Sequence, residues 1–334
     1  GNVQTVTFTL EVLESTGKLY GYIASDFSTG GGQFWGSFLD NNLAEGEGLA
    51  DAAGYGLNAG TWYDGKIYGY GVNPGTYAYQ YMVIDGSSFT LDEAIEGTFP
   101  DMLDMAMDYT QGSMYAVGGV RNVESNTTLY TVDIRTGEAY QVAGMAARIM
   151  TLACTAEGEL YGVDKDGVLY RIDKETGELY RIGETGYGAS LYQSMAYDYN
   201  TGNLYWAQAN RDAMMQTTGN LLLVDTTDAS VLNLGMVGVV GSQITSLYTI
   251  PEEEIQLGTP EITKILMGSE SEMLKAGDEV QLSAIAYPLS VNPTAVRFTY
   301  QSSDTDVAKV NEDGLVTAVS AGTAVITVSA GDVS

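Results

Sequence analysis

Apolar residues in most of this chain fall in short alternating runs, each ending in a cluster of Gly, Asn, Asp or Ser. Alternation with period two is the pattern of half-buried β-strands, and the clusters are turn signals. The runs recur in a fixed order. A first segment ("AGTWYD", "DMAMDY", "MTLACT", "SMAYDY") leads through a polar-Gly turn to a second carrying an aliphatic-Tyr pair. A third ends in Asp ("QYMVID", "TLYTVD", "VLYRID", "LLLVD", with "FWGSFLD" in the first unit), and a fourth follows, as in "AYQVAG" or "LYRIGE".

The aliphatic-Tyr pairs set the period. Gly17-Lys18-Leu19-Tyr20, Gly65-Lys66-Ile67-Tyr68, Gly112-Ser113-Met114-Tyr115, Gly158-Glu159-Leu160-Tyr161 and Gly202-Asn203-Leu204-Tyr205 place their Tyr residues 48, 47, 46 and 44 positions apart. Four antiparallel strands in each unit of roughly 40–50 residues make the blade of a β-propeller, an all-β fold in which each blade buries its faces against its neighbours. The spacing therefore predicts a propeller over residues 1–250. Five blades are expected, with "SQITSLYTI" (242–250) closing the ring against the first. A sixth blade, completed by residues before Tyr20, is the other arrangement the pattern allows.

Third and fourth strands are joined by turns such as Asp133 to Glu138 and Asp173 to Glu178, both of the form Asp-x-x-Thr-Gly-Glu. There Asp accepts hydrogen bonds from the turn backbone and Gly supplies positive φ. These turns, and "DKDG" (Asp164–Gly167), lack the later ligands of a calcium loop. No cofactor is expected, and structural calcium has no supporting motif. The repeated turns resemble those of quinoprotein-like and YVTN-like propellers over roughly residues 5–250, a resemblance that implies blades and says nothing of activity.

After "PEEEIQLGTPEITK" the vocabulary changes to Val, Ala, Ser and Thr, which marks residues 251–261 as a linker. The alternating runs beyond it predict a small β-sandwich over 262–334. Tyr300, Ser302-Ser303-Asp304, Val307-Ala308-Lys309-Val310, Gly314-Leu315-Val316-Thr317 and Gly322-Thr323-Ala324-Val325-Ile326 resemble the group 2 bacterial immunoglobulin-like domain. The family more often has Trp at the position of Tyr300, and the chain ends about where a final strand of such a domain would begin. The resemblance implies a secreted or cell-surface bacterial protein, in which such domains serve as spacers or adhesive modules.

Composition narrows the chemistry. The net charge is −29, from 14 Lys plus Arg against 43 Asp plus Glu, a field that repels phosphate backbones and anionic lipid. Nucleic acid is excluded as an expected partner, as is membrane insertion, for no long apolar run appears. The opening "GNVQTVTFTL" has neither the charged nor the apolar region of a signal peptide. The chain has no His, which removes Ser-His and Cys-His dyads and His-containing zinc sites. Its single Cys, Cys154 in "IMTLACTA", is expected to be a small core residue.

Loops between second and third strands differ most among the units: "ASDFSTGGGQFW", "YGVNPGTYAYQ", "GGVRNVESNTT" and "AQANRDAMMQTT", with only a short turn in the fourth. Varied loops on a rigid scaffold are where propellers bind ligands. Trp35, Tyr77, Tyr79, Arg121, Asn210 and Arg211 are the candidate ligand contacts, aromatic faces stacking while Arg and Asn hydrogen-bond. Trp62 and Trp206 are assigned to blade packing. No catalytic residues and no metal ligands are named. The expected protein is a monomeric, non-catalytic surface binding or adhesion protein that recognises a glycan or a protein ligand. A carboxylate-dependent carbohydrate-active enzyme (hydrolase or lyase) and a structural spacer are the alternatives.

Overall fold

The computed structural model describes residues 18–24, 32–37, 44, 46–52, 54–120, 125–211, 217–237, 243–258, 262, 264–267, 273–287, 296–331 and 333–334. The first strands are β1 (Leu19–Ala24), β2 (Gln33–Ser37) and β3 (Glu47–Asp51). Next come β4 (Gly56–Tyr63), β5 (Lys66–Val72), β6 (Tyr79–Asp85) and β7 (Leu91–Glu96), then β8 (Asp101–Asp108), β9 (Ser113–Gly119), β10 (Thr128–Val132) and β11 (Ala139–Gly144). They are followed by β12 (Ala153–Cys154), β13 (Leu160–Val163), β14 (Val168–Ile172) and β15 (Leu179–Glu184), by β16 (Ser194–Asp198), β17 (Asn203–Arg211), β18 (Thr217–Val224) and β19 (Val231–Met236), and by β20 (Gln243–Thr249).

These strands form five four-stranded antiparallel sheets among the described residues. Blades 2 to 5 are β4–β7, β8–β11, β12–β15 and β16–β19. Blade 1 draws on both ends of the repeat, β20 pairing β1 with Thr249 opposite Leu19 and Gln243 opposite Ala24. The inner strands β20, β4, β8, β12 and β16 lie side by side and close the ring. The protein is a five-bladed β-propeller, and the segment expected to close it does so.

Each aliphatic-Tyr pair sends its two side chains to opposite faces of its blade, as strand alternation requires. Ile67 packs toward blade 1 and Tyr68 toward blade 3; Met114 packs toward blade 2 and Tyr115 toward blade 4. The turns lock the blades as well. Tyr70 and Tyr81 of blade 2 donate their hydroxyls at 2.6 Å to Gly137 O and Ile134 O in the turn of blade 3. Gly137 has φ +70°, and a Cβ there would lie 2.3 Å from the Tyr81 ring. In the blade 4 turn, Asp173 Oδ1 accepts from Glu175 N and Thr176 N.

A buried polar chain joins the blades at the hub. Asp104 of β8 is fully buried, and its carboxylate accepts from Leu152 N at 2.9 Å, Ser194 Oγ at 2.8 Å and Met195 N at 3.0 Å. Ser194 Oγ in turn accepts from Leu247 N at 2.9 Å, and Thr245 Oγ1 donates to Leu57 O at 2.7 Å. These contacts run from blade 3 to blades 4, 5, 1 and 2. Burial pushes the Asp104 carboxyl well above its ordinary range, against the donors that pull it down. Cys154 is buried in the core between blades 3 to 5, its thiol also pushed up by burial.

The carboxy-terminal part is built from β21 (Lys264–Met267), β22 (Glu279–Gln281), β23 (Ala284–Tyr287), β24 (Thr299–Ser302), β25 (Ala308–Val310), β26 (Leu315–Ala318) and β27 (Ile326–Ser329). They pair as β21-β23, β22-β26-β25 and β24-β27. The motif residues have visible tasks here. Gly314 turns with φ +80° beneath the Tyr300 ring, and Asn311 Oδ1 accepts from Asp313 N and Leu315 N to close the turn before β26.

Candidate recognition face

Antiparallel blades put connections at alternate ends. One end of the ring, here called upper, carries the second-to-third-strand loops and the blade-to-blade connections; the lower end carries the remaining turns. Toward the lower end of the channel between them lies a pocket of about 30 Å³ lined by residues including Met105, Met195 and Leu247. That is the volume of about one water molecule.

The lower mouth is aromatic and covered. Tyr109 packs edge to face on Tyr199 at 5.0 Å and on Tyr63 at 6.1 Å, and Tyr199 likewise on Tyr197 at 5.1 Å. Beyond β20 the chain crosses these rings. Asn200 Nδ2 donates to Ile250 O and its Oδ1 accepts from Glu252 N, Ile255 and Leu257 pack into the core of blades 2 and 3, and Gly258 N donates to Tyr109 O at 2.8 Å. A Cβ at Gly258 would lie 1.6 Å from Thr110 O, so only Gly fits. Gly258→Val is expected to detach this strap and leave the propeller folded. Limited proteolysis within 251–258 should accelerate about tenfold, the equivalent of about 1.4 kcal/mol of lost docking, with little change in the melting temperature.

On the upper end, the loop 73–78 between β5 and β6 is held by its own hydrogen bonds. Asn73 Oδ1 accepts from Gly75 N and Thr76 N, Asn73 N donates to Ala78 O, and Tyr77 N donates to Asn73 O. At its tip Tyr77 has φ +58° and is 72% exposed. The bond from Tyr77 N to Asn73 O closes a turn of the kind in which Phe89 and Ala229 also take positive φ, and it presents the Tyr77 ring at the tip. Asn210 and Arg211 end β17, Asn210 half-buried and Arg211 exposed with its backbone N donating to Ser190 Oγ.

Two other candidates are core residues. Trp35 lies in the middle of β2, 1% exposed, in the cluster between blades 5 and 1. Tyr79 opens β6, 9% exposed, stacked on Tyr70 at 6.4 Å with its hydroxyl accepting from Met102 N at 2.9 Å. Strand alternation turns both rings inward, and neither offers a face to a ligand. Arg121 lies outside the described residues. Trp206 is buried, donating Nε1 to Gln193 Oε1 at 2.9 Å, in keeping with a packing role.

Sequence reasoning missed the pair at the upper mouth. The Tyr192 hydroxyl, ahead of blade 5, reaches Asp101 at the head of β8, 2.8 and 2.9 Å from its two carboxylate oxygens. The contact spans 91 residues, and nothing in "FPDML" or "SLYQS" marks it. Among the described residues, the chemistry gathered there is the Asp101 carboxylate with the phenols of Tyr192 and Tyr79, suited to hydrogen-bonding a polar ligand. Among the described residues no group of three or more Cys, Asp or Glu side chains is placed to hold a metal ion, and no helix is long and apolar enough to cross a membrane.

A five-bladed propeller with an immunoglobulin-like module behind it is thus the class of protein that the fold defines. Residues 262–334 match the bacterial Ig-like domain (group 2), and residues 67–221 match a repeat of unknown function, DUF6923. No curated protein matches the sequence. Among solved structures the chain is similar to TolB from Acinetobacter baumannii, with 12% identity over 72% of this chain and 68% of that one and a TM-score of 0.41. It is also similar to a chain of a nidogen/laminin complex (8% identity, 70% and 97%, TM-score 0.44) and to a gluconolactonase from Xanthomonas campestris (12%, 69% and 79%, TM-score 0.39). At these values the likenesses say nothing of what this chain binds.

Proposed function

We propose that this chain is a non-catalytic binding module of an extracellular bacterial protein, whose upper propeller face recognises a glycan or a protein ligand. The observation that carries the reading is Tyr77, exposed at positive φ at the tip of a loop fixed by its own hydrogen bonds. The immunoglobulin-like match supports an extracellular setting, since domains of this kind are typical of such proteins.

Replacement by Gly separates the two roles of position 77. Tyr77→Gly removes the ring and relieves the positive φ, so thermal stability should hold or rise by up to about 1 kcal/mol. Retention on a panel of host and bacterial glycans and surface proteins should fall about tenfold or more, the loss usual for an aromatic anchor. Unchanged retention by Tyr77→Gly would reject the assignment of this face. Product release from a panel member would replace binding with catalysis.

A further inference from the structure

The junctions between successive blades repeat, so one junction is a reference for the next. On the lower end of the blade 3 and 4 junction, Lys174 reaches back from the turn after β14 and pairs its ammonium with the buried carboxylate of Asp108. Thr110 also bonds that carboxylate, and the ammonium lies 3.2 Å from where a Cβ of Gly158 would be. A protein ammonium group fills this junction.

Register gives the corresponding residues one blade on. Tyr115 pairs with Ala106 and Tyr161 with Ala153, so Asp108 corresponds to Thr155 and Thr110 to Glu157. Asp173 and Asp225 head equivalent turns, so Lys174 corresponds to Thr226, and Gly158 (φ +79°) to Gly202 (φ +75°). Both members of the ion pair have become threonine. The junction of blades 4 and 5 is accordingly open, a cleft of about 530 Å³, within the range of small-molecule sites, about 300–1,000 Å³. Glu157, Glu159 and Asp225 line it, with Tyr161 and Tyr197 on its walls, and the cation beside it is Arg171, which lies opposite Tyr161 in blade 4. The Tyr161 hydroxyl donates to Glu159 Oε2 at 2.8 Å and orients that carboxylate.

We propose that this cleft binds an alkylammonium group, that of a free primary amine or of a lysine side chain in a peptide, in the space that Lys174 fills in the preceding junction, with Glu157, Glu159 and Asp225 in place of the Asp108 carboxylate. Carboxylates supply the charge complement, and the phenol rings add a favourable face for a cation. The cleft lies on the opposite end of the ring from Tyr77, so this inference stands apart from the upper-face reading.

The test titrates the full chain by calorimetry with cadaverine, with a blocked Gly-Lys-Gly tripeptide and with pentanol. Saturable binding of either amine probe, weakened by salt and absent for pentanol, is the expected result. Cadaverine alone would identify a free amine as the source, and the tripeptide alone a lysine side chain. Thr226→Lys copies the preceding junction and places the chain's own ammonium in the cleft. It should weaken amine binding at least about tenfold, the scale of one lost charge-assisted contact. Glu157→Lys, at an exposed position, is the second variant and should act in the same direction. Pentanol binding as well as the amines, equal amine binding by wild type and both variants, or no saturable binding of either amine, would overturn the proposal.

Discussion

Asp104→Ala is expected to destabilise the propeller by about 3–5 kcal/mol, the largest single-residue effect in the fold. Leu152 N, Met195 N and Ser194 Oγ would each lose their acceptor at the hub, and a buried donor left unsatisfied costs about 1–3 kcal/mol. Asp104→Asn keeps the size but turns an NH₂ toward those donors, so about 2 kcal/mol should still be lost. Urea denaturation of the two variants checks this, with unchanged m-values as the sign that the denatured state is the same. The sign of the pH dependence is opposed by the turns. Burial raises the Asp104 pKa above 3.8, so the folded chain holds that proton longer and its contribution declines as pH rises above that value. Asp104→Asn removes this slope. Asp85, Asp173 and Asp225 are held below 3.8 by the hydrogen bonds of their turns, so their contributions are lost as pH falls below it.

The second large effect is alkaline. Burial raises Tyr68 and Tyr161 to about 12 and pushes Tyr70, Tyr79, Tyr81, Tyr199 and Tyr248 higher still. Unfolded, these phenols ionise near 10. The folded state therefore binds more protons above that pH, and its stability falls as pH rises. Each pKa unit is worth about 1.4 kcal/mol for a buried group, and many act together. Tyrosinate absorbance should lag well behind that of free tyrosine and then rise in one step that coincides with the loss of circular dichroism. Gradual ionisation without unfolding would show that these rings are not buried as described.

Much of the architecture was legible because it is local and repeated. The pairs at Tyr20, Tyr68, Tyr115, Tyr161 and Tyr205 fix the blades, and the apolar run at 242–250 reads as an inner strand without a blade of its own. Tyr300 and Gly314 likewise stand in a motif that its turn explains. The site was less legible. "ASDFSTGGGQFW" and "YGVNPGTYAYQ" look like loops to their last residue, yet Trp35 and Tyr79 belong to the strands that follow, where alternation points them inward. Tyr77, two residues earlier, is on the loop. Asp101, Asp104, Tyr192 and Ser194 act through contacts across the ring, between residues 48 to 91 positions apart. No spacing rule reaches that far, and in a chain with so many acidic residues neither Asp stands out.

Hydroxyl-radical footprinting of the full chain with whichever panel ligand it retains tests the central claim most directly. The upper-face account predicts that Tyr77 and the loop around it lose reactivity on binding, while Tyr180 and Tyr197 at the outer and lower surfaces keep theirs. Protection of those lower residues, with Tyr77 as reactive as in the free protein, would contradict it.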